Sequence, residues 1–194
     1  MNNLQKMDDD DFMDINTMSI NNCVKRIDNQ LFFYGDINET NVRTFKQELY
    51  LAQKELRDLK DEARTLIIRF SSSGGSLYDA FSAMEALRQC EIPTVGVVEG
   101  YCASACTLLF LCCNGRVMGK YSYFLIHQLS GEHWGTYKEL EDSMKNNKKL
   151  MDTLSTFYQE NTKIPKKQLQ EILQHDLWLD AEECKKFGII SAIV

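Results

Sequence analysis

Apolar residues along this chain occur in two rhythms: short unbroken runs, and longer stretches in which they recur every three or four positions. Unbroken runs predict buried strands, and the three-to-four spacing predicts helices with one apolar face. LFFYG (31–35) reads as a strand. Asn38 then caps a helix that carries Val42, Phe45, Leu49 and Leu56 on one side. TLIIRF (65–70) is a second strand, and the loop SSSGG leads from it into a helix over about 76–90, with Leu77, Phe81, Met84 and Leu87 as its stripe. PTVGVVEG (93–100) is another buried strand, and the run from Ala103 to Cys113 follows as a core helix. Strand, loop, helix, strand and helix in this order make an α/β domain with a largely parallel sheet.

GRVMGK and YSYFLIHQ give two further short strands. Thr136 and Glu139 form a capping box that opens a long helix running to about Asn161, with Tyr137, Leu140, Met144, Met151, Leu154 and Tyr158 near helical spacing. Its other faces are polar, so the helix is expected to protrude. A short helix follows Pro165. Another spans Ala181 to Phe187, with Asp180 as N-cap and Gly188 as its stop, and IISAIV closes the chain as a last strand.

Composition narrows the class. With 194 residues, 44% of them hydrophobic, the chain builds one sizeable core. A formal net charge of -6 argues against nucleic acid as a partner. Seven cysteines, an odd number set among apolar residues, fit reduced thiols better than a disulfide framework. The run from Ala103 to Cys113 is about half of the roughly 20 residues that a membrane-spanning helix needs. The start MNNLQKMDDDDFMD has neither a charged-then-apolar leader nor an Arg-rich transit character, so a cytoplasmic protein with no membrane attachment is expected. Residues 1–30 read as an acidic, mobile segment centred on Asp8 to Asp11.

Chemistry concentrates around Ser104. A serine hydroxyl needs a base to take its proton, an oriented base, and donors for the developing oxyanion. Ser104 follows a strand and opens a helix, where the helix dipole and the Ala105 N–H favour negative charge; a small N-cap is the other reading of the same position. Of the three histidines, His127 lies in YFLIHQ, where a strand would hold it, and Asp176 precedes the helix start WLDAEE. Each alone also reads as an ordinary strand-end histidine or surface aspartate. The glycines of SSSGG let backbone approach a ligand and donate an N–H. CASAC is not the G-x-S-x-G elbow of the α/β-hydrolases, and the order serine, histidine, aspartate differs from theirs. A metal pair at Cys102 and Cys106 lacks a matching ligand cluster elsewhere in the sequence.

Taken together, SSSGGSLYDAFSAMEAL, PTVGVVEGYCASACTLLFLCCNGRVMG, FLIHQLSG and HDLWLDAEECKKFGIISAIV resemble the proteolytic subunit of the Clp protease, over roughly residues 30–194. The resemblance implies a spiral of strand-turn-helix units, the Clp protease/crotonase-like fold, over 31–194. It also implies a protruding handle of strand plus long helix at about 131–161. Ser104 is implied as nucleophile, His127 as general base and Asp176 as the orienting acid, with the N–H groups of Gly75 and Ala105 as the oxyanion hole. The strand before the handle helix is where extended substrate would pair by backbone hydrogen bonds. The partners implied are identical subunits in heptameric rings stacked as a tetradecamer, an ATP-dependent unfoldase, and unfolded polypeptide. Three features depart from the family pattern: Ser73 stands where proline is usual, SGEHWGTYKEL is bulkier than the usual glycine-rich handle, and the first thirty residues do not match.

A maturation protease of the same fold, an acyl-CoA hydratase or isomerase, and a silent scaffold subunit are the competing readings. The presence of serine, histidine and aspartate together speaks against the last two. No cofactor is expected, because the sequence has no phosphate-binding loop, dinucleotide fingerprint or zinc spacing. ATP, if used, acts on a partner.

Overall fold

The computed structural model describes residues 23–60 and 64–194, so Asp8 to Asp11 lie outside the described residues. Thirteen elements follow in chain order: β1 (Val24–Ile27), β2 (Gln30–Tyr34), α1 (Glu39–Leu56), β3 (Leu66–Ser72), α2 (Leu77–Arg88), β4 (Thr94–Ala103), α3 (Ala105–Leu111), β5 (Gly115–Met118), β6 (Tyr123–Leu125), α4 (Tyr137–Asn161), α5 (Lys166–Ile172), α6 (Ala181–Lys186) and β7 (Ala192–Ile193). The sheet order is β1-β2-β3-β4-β5-β7, with β6 paired to β4 off that path. All these pairings are parallel except the first, β1 with β2. This is the α/β arrangement with a parallel sheet that the sequence predicts.

Side-chain alternation decides how the sheet is covered. In β3, Leu66, Ile68, Phe70 and Ser72 are buried while the residues between them are half-buried. The buried face meets α1 and α3 through a ladder of rings: Phe33 packs on Phe45 and Phe70, Phe70 on Phe110, and Phe110 on Phe124. On the other face Arg69 pairs with Glu99, which also accepts from the Tyr34 hydroxyl, so ions replace apolar cover there. The helix starts obey local chemistry: Asn38 accepts from the Asn41 N–H, Ser76 from that of Asp79, and both Thr136 and Asp180 form capping boxes.

The structure differs from the sequence reading at four places. Residues 24–30, assigned to the mobile segment, form β1, its turn and the first residue of β2, so the fold begins before residue 31. The four residues VKRI are too few to show a periodic pattern, and the strand is set by its pairing with residues 30–33 of β2. Strand β4 does not end at Gly100 but continues to Ala103, and α3 begins only at Ala105. Gly100 has φ 76, which turns the strand at a bulge against β3 without ending it; residues 101–103 pair with β6, and Cys102 pairs with Ser72 of β3 as well. His127 lies beyond β6, which ends at Leu125, rather than within a strand. Finally, the expected handle strand is not formed: residues 126–135 pair with no strand among the described residues, and α4 alone makes the projection. A strand exists only through its neighbours, and this segment has none among the described residues.

Helix α4 is buried only in its second half, at Leu154, Phe157 and Tyr158, whereas Tyr137 is 78% and Met144 74% exposed. No helix of the described residues is long and apolar enough to cross a membrane.

Candidate active site

The site forms where the sheet registers converge at the carboxyl ends of parallel strands, the usual location for ligands in such sheets. Ser72 of β3 pairs with Cys102 of β4, which brings the glycines after β3 beside Ser104. Ala103 pairs with Leu125 of β6, and the Ser104 N–H donates to the Leu125 carbonyl at 2.9 Å. Ser104 therefore stands next to the chain that carries His127.

A second register brings in the acid. Phe124 and Leu179 form an antiparallel bridge through two hydrogen bonds of 2.8 and 2.9 Å. In antiparallel pairing, the residue three beyond Phe124 faces the residue three before Leu179, and these are His127 and Asp176. Their side chains meet accordingly, with His127 Nδ1 3.2 Å from Asp176 Oδ1. His127 is mostly buried, while Asp176 is 79% exposed. The contact fixes which ring nitrogen faces the acid and leaves Nε2 for the other side of the ring.

Ser104 has φ 54 and ψ -129, a positive φ that non-glycine residues avoid and that costs on the order of 1–3 kcal/mol. It heads α3, yet its hydroxyl makes no capping bond to that helix. A serine serving as an N-cap would have extended backbone and a bonded side chain; Ser104 has neither. Helix α3 holds the serine rigidly, because every one of its seven residues is buried.

The loop after β3 is built for close approach. Gly74 has φ 95, and a Cβ there would lie 2.7 Å from the Ser104 Cβ and 2.9 Å from the Ala105 nitrogen. At Gly75, φ 143, a Cβ would run into the Ile37 carbonyl oxygen. Ile37 clamps the loop, its N–H donating to Gly74 O at 2.7 Å and its carbonyl accepting from Ser76 N at 2.8 Å. Ser73, the residue in place of the usual proline, donates from Oγ to Asp36 Oδ1 at 3.0 Å and adds a further tie. Among the described residues, neither the Gly75 nor the Ala105 N–H donates to a protein acceptor. Both line one cleft with Ser104, His127, Leu129 and Tyr158.

Of the five residues singled out in the sequence, Gly75, Ser104, Ala105 and His127 line this cleft, and Asp176 lies outside its lining and touches His127. The sequence reading missed Ile37, whose backbone role no side chain advertises, and the pair Thr107 and Tyr158, which joins the turn at Ser104 to the long helix. Cys102 and Cys106 are buried, and burial followed by a hydrogen bond to Cys106 pushes the Cys102 thiol well up, so it does not compete as a nucleophile at neutral pH. No group of three or more potential metal ligands occurs among the described residues.

Comparison with known proteins gives the family and the fold. The family description "Clp protease" matches residues 16–194. The chain is 25% identical over 169 residues to the ATP-dependent Clp protease proteolytic subunit 1 of Chlamydia pneumoniae, covering 85% of this chain and 86% of that one. It is 27% identical over 167 residues to proteolytic subunit 3 of Rhizobium etli, covering 84% and 82%. Among solved structures, a ClpP1 mutant from Listeria monocytogenes superposes with a TM-score of 0.73 at 22% identity, over 83% of this chain and 88% of that one, which establishes the shared fold. A match over nearly the whole chain, on a sheet that converges at a strained serine, means that this protein belongs to the Clp protease family, as a peptidase subunit of the Clp type.

Proposed function

We propose that this chain is a serine endopeptidase in which Ser104 is the nucleophile, His127 the general base and Asp176 the acid that orients it. The single observation that carries the reading is the His127–Asp176 contact of 3.2 Å at the rim of the cleft that holds the strained Ser104. His127 takes the Ser104 proton as the hydroxyl oxygen attacks a peptide carbonyl. The N–H groups of Gly75 and Ala105 receive the oxyanion, and the amine leaves with the proton held on His127. Water then repeats the sequence on the acyl enzyme. The reaction needs no cofactor.

The substrate is unfolded polypeptide, since the open cleft edge along residues 126–135 offers backbone rather than deep side-chain selection. The working form is a ring assembly of one proteolytic domain per subunit, heptameric and stacked in pairs by family resemblance. Its support here is the stripe on α4 at Tyr137, Leu140 and Met144, with Trp134 95% exposed beside it, an apolar face that one subunit leaves bare. An ATP-dependent unfoldase feeds it in the cytoplasm; the names of the relatives, which describe them as ATP-dependent, support the unfoldase. The test is to label the protein with a fluorophosphonate and map the modified peptide. Modification of Ser104, lost in Ser104→Ala, is the expected result; a stable label elsewhere, or none, overturns the reading. Light scattering that finds an active monomer would overturn the assembly.

A further inference from the structure

A hydrogen-bonded chain joins the turn at Ser104 to the long helix. The Thr107 hydroxyl donates to the Ser104 carbonyl oxygen at 2.6 Å, and the Thr107 N–H reaches the same oxygen at 3.0 Å. The Tyr158 hydroxyl lies 2.7 Å from Thr107 Oγ1. Thr107 is 0% and Tyr158 2% exposed, so no water competes for these groups.

Proton counting fixes the direction. A carbonyl oxygen has no proton, so the Thr107 hydroxyl spends its only one on Ser104. Tyr158 must then be the donor to Thr107. Burial pushes the Tyr158 phenol above its ordinary value, so it keeps that proton throughout the working range of pH. The result is a directed series, Tyr158 O–H to Thr107 O–H to Ser104 C=O, in which each bond polarises the next. A threonine in a first helical turn often bonds back to a carbonyl three or four residues earlier, and that much is local. The second donor is not local, because it arrives from α4, 51 residues away, and the carbonyl it secures belongs to the residue with strained backbone.

The consequence lies in peptide planarity. The Ser104 carbonyl and the Ala105 N–H belong to one rigid plane and point in opposite directions. Drawing the carbonyl inward toward Thr107 aims the Ala105 N–H outward into the cleft, and it also holds the ψ that sets the Ser104 side-chain direction.

We propose that Tyr158 is a positioning residue for this reaction, acting through Thr107 to hold the Ser104–Ala105 peptide so that its N–H meets the oxyanion. The proposal rests on Ser104 being the nucleophile. An interaction of this kind is realised when charge develops on the substrate oxygen, so its loss lowers kcat and spares KM.

The experiment uses the full chain, a short fluorogenic peptide and a fluorophosphonate, with Tyr158→Phe, Thr107→Val, Thr107→Ser and the double variant Thr107→Val/Tyr158→Phe. A misaimed donor costs somewhat less than the ~10²–10³-fold of a deleted one. Tyr158→Phe should therefore lower kcat roughly 10-fold and slow labelling of Ser104 in step, with KM within about 2-fold. Thr107→Val should lower kcat further, and the double variant should be no worse than Thr107→Val alone, since both break one series. Thr107→Ser keeps the hydroxyl and should stay within about 3-fold of the parent in kcat. Unchanged kcat in Tyr158→Phe and Thr107→Val, with Ser104 still labelled in the parent, overturns the proposal and leaves the nucleophile assignment standing. So does a loss that Thr107→Ser shares in full and that tracks melting temperature. Failure of the parent to label at Ser104 overturns the assignment itself, and the proposal with it.

Discussion

Two helices meet at the candidate active site and solve opposite problems. Helix α3 has seven residues, all buried, and α4 has 25, of which three are buried. Helix α3 is too short to be stable by itself and forms because the core surrounds it. Its reward is rigidity, which is what a serine at φ 54 requires. Helix α4 is held locally by its capping box, where bonds from the Thr136 backbone and hydroxyl keep the Glu139 carboxyl below its usual range. Only its last turns touch the core, and its first turns are open to another surface. Burial therefore fixes chemistry at one end of the site, and exposure leaves α4 available for contacts beyond the subunit.

The largest expected effect tests the rigid end. Ser104→Ala should abolish peptide hydrolysis with the melting temperature retained, and Asp176→Asn should lower kcat by roughly 10⁴-fold, the scale seen when the acid of such a set is neutralised. Substantial turnover by Ser104→Ala would remove the chemical role of α3. Next comes Gly74→Ala. Its new Cβ would lie 2.7 Å from the Ser104 Cβ and 2.8 Å from the Ala103 carbonyl, with φ 95 already unfavourable. Displacing the serine by about 1 Å costs on the order of 10²-fold in rate. Wild-type kcat in this variant would show that the turn is softer than its packing implies.

The contrast in burial has a direct thermodynamic form. Leu109→Ala in α3, at a 0% exposed position, should destabilise by about 2–5 kcal/mol in denaturant unfolding. Met144→Ala on α4, 74% exposed, should change the unfolding of the separated subunit by no more than about 0.5 kcal/mol. The same Met144→Ala should weaken assembly by sedimentation. Equal destabilisation by the two would erase the distinction between the helices.

The smallest effect concerns the thiols around α3. Burial raises Cys113 and Cys184 and pushes Cys112 up to about 11. A thiol that holds its proton more tightly when folded contributes stability that is complete below its unfolded value, about 8.5, and is lost as pH rises through the folded values. Denaturant midpoints should therefore hold from pH 7 to 8 and fall above about pH 9, less steeply in Cys113→Ala than in the parent. A midpoint unchanged to pH 11 would show that these thiols are not sealed by the fold.

Periodicity alone revealed α1, α2 and α4, because a helix writes its apolar face into spacings that local sequence carries. Caps were equally plain at Asn38, Thr136 and Asp180, where one side chain bonds a backbone group three residues away. Four motifs in order also carried the family and singled out Ser104, His127 and Asp176. What local sequence could not carry was anything settled by a distant partner. The continuation of β4 past Gly100 depends on β6, 22 residues on, and the expected handle strand finds no pairing neighbour among the described residues. The meeting of His127 with Asp176 depends on the bridge between Phe124 and Leu179, and the hold on Ser104 depends on a tyrosine 51 residues beyond Thr107. Side-chain identity set which groups had the required chemistry. Strand register and core packing, which act between segments remote in sequence, decided which of them come within bonding distance.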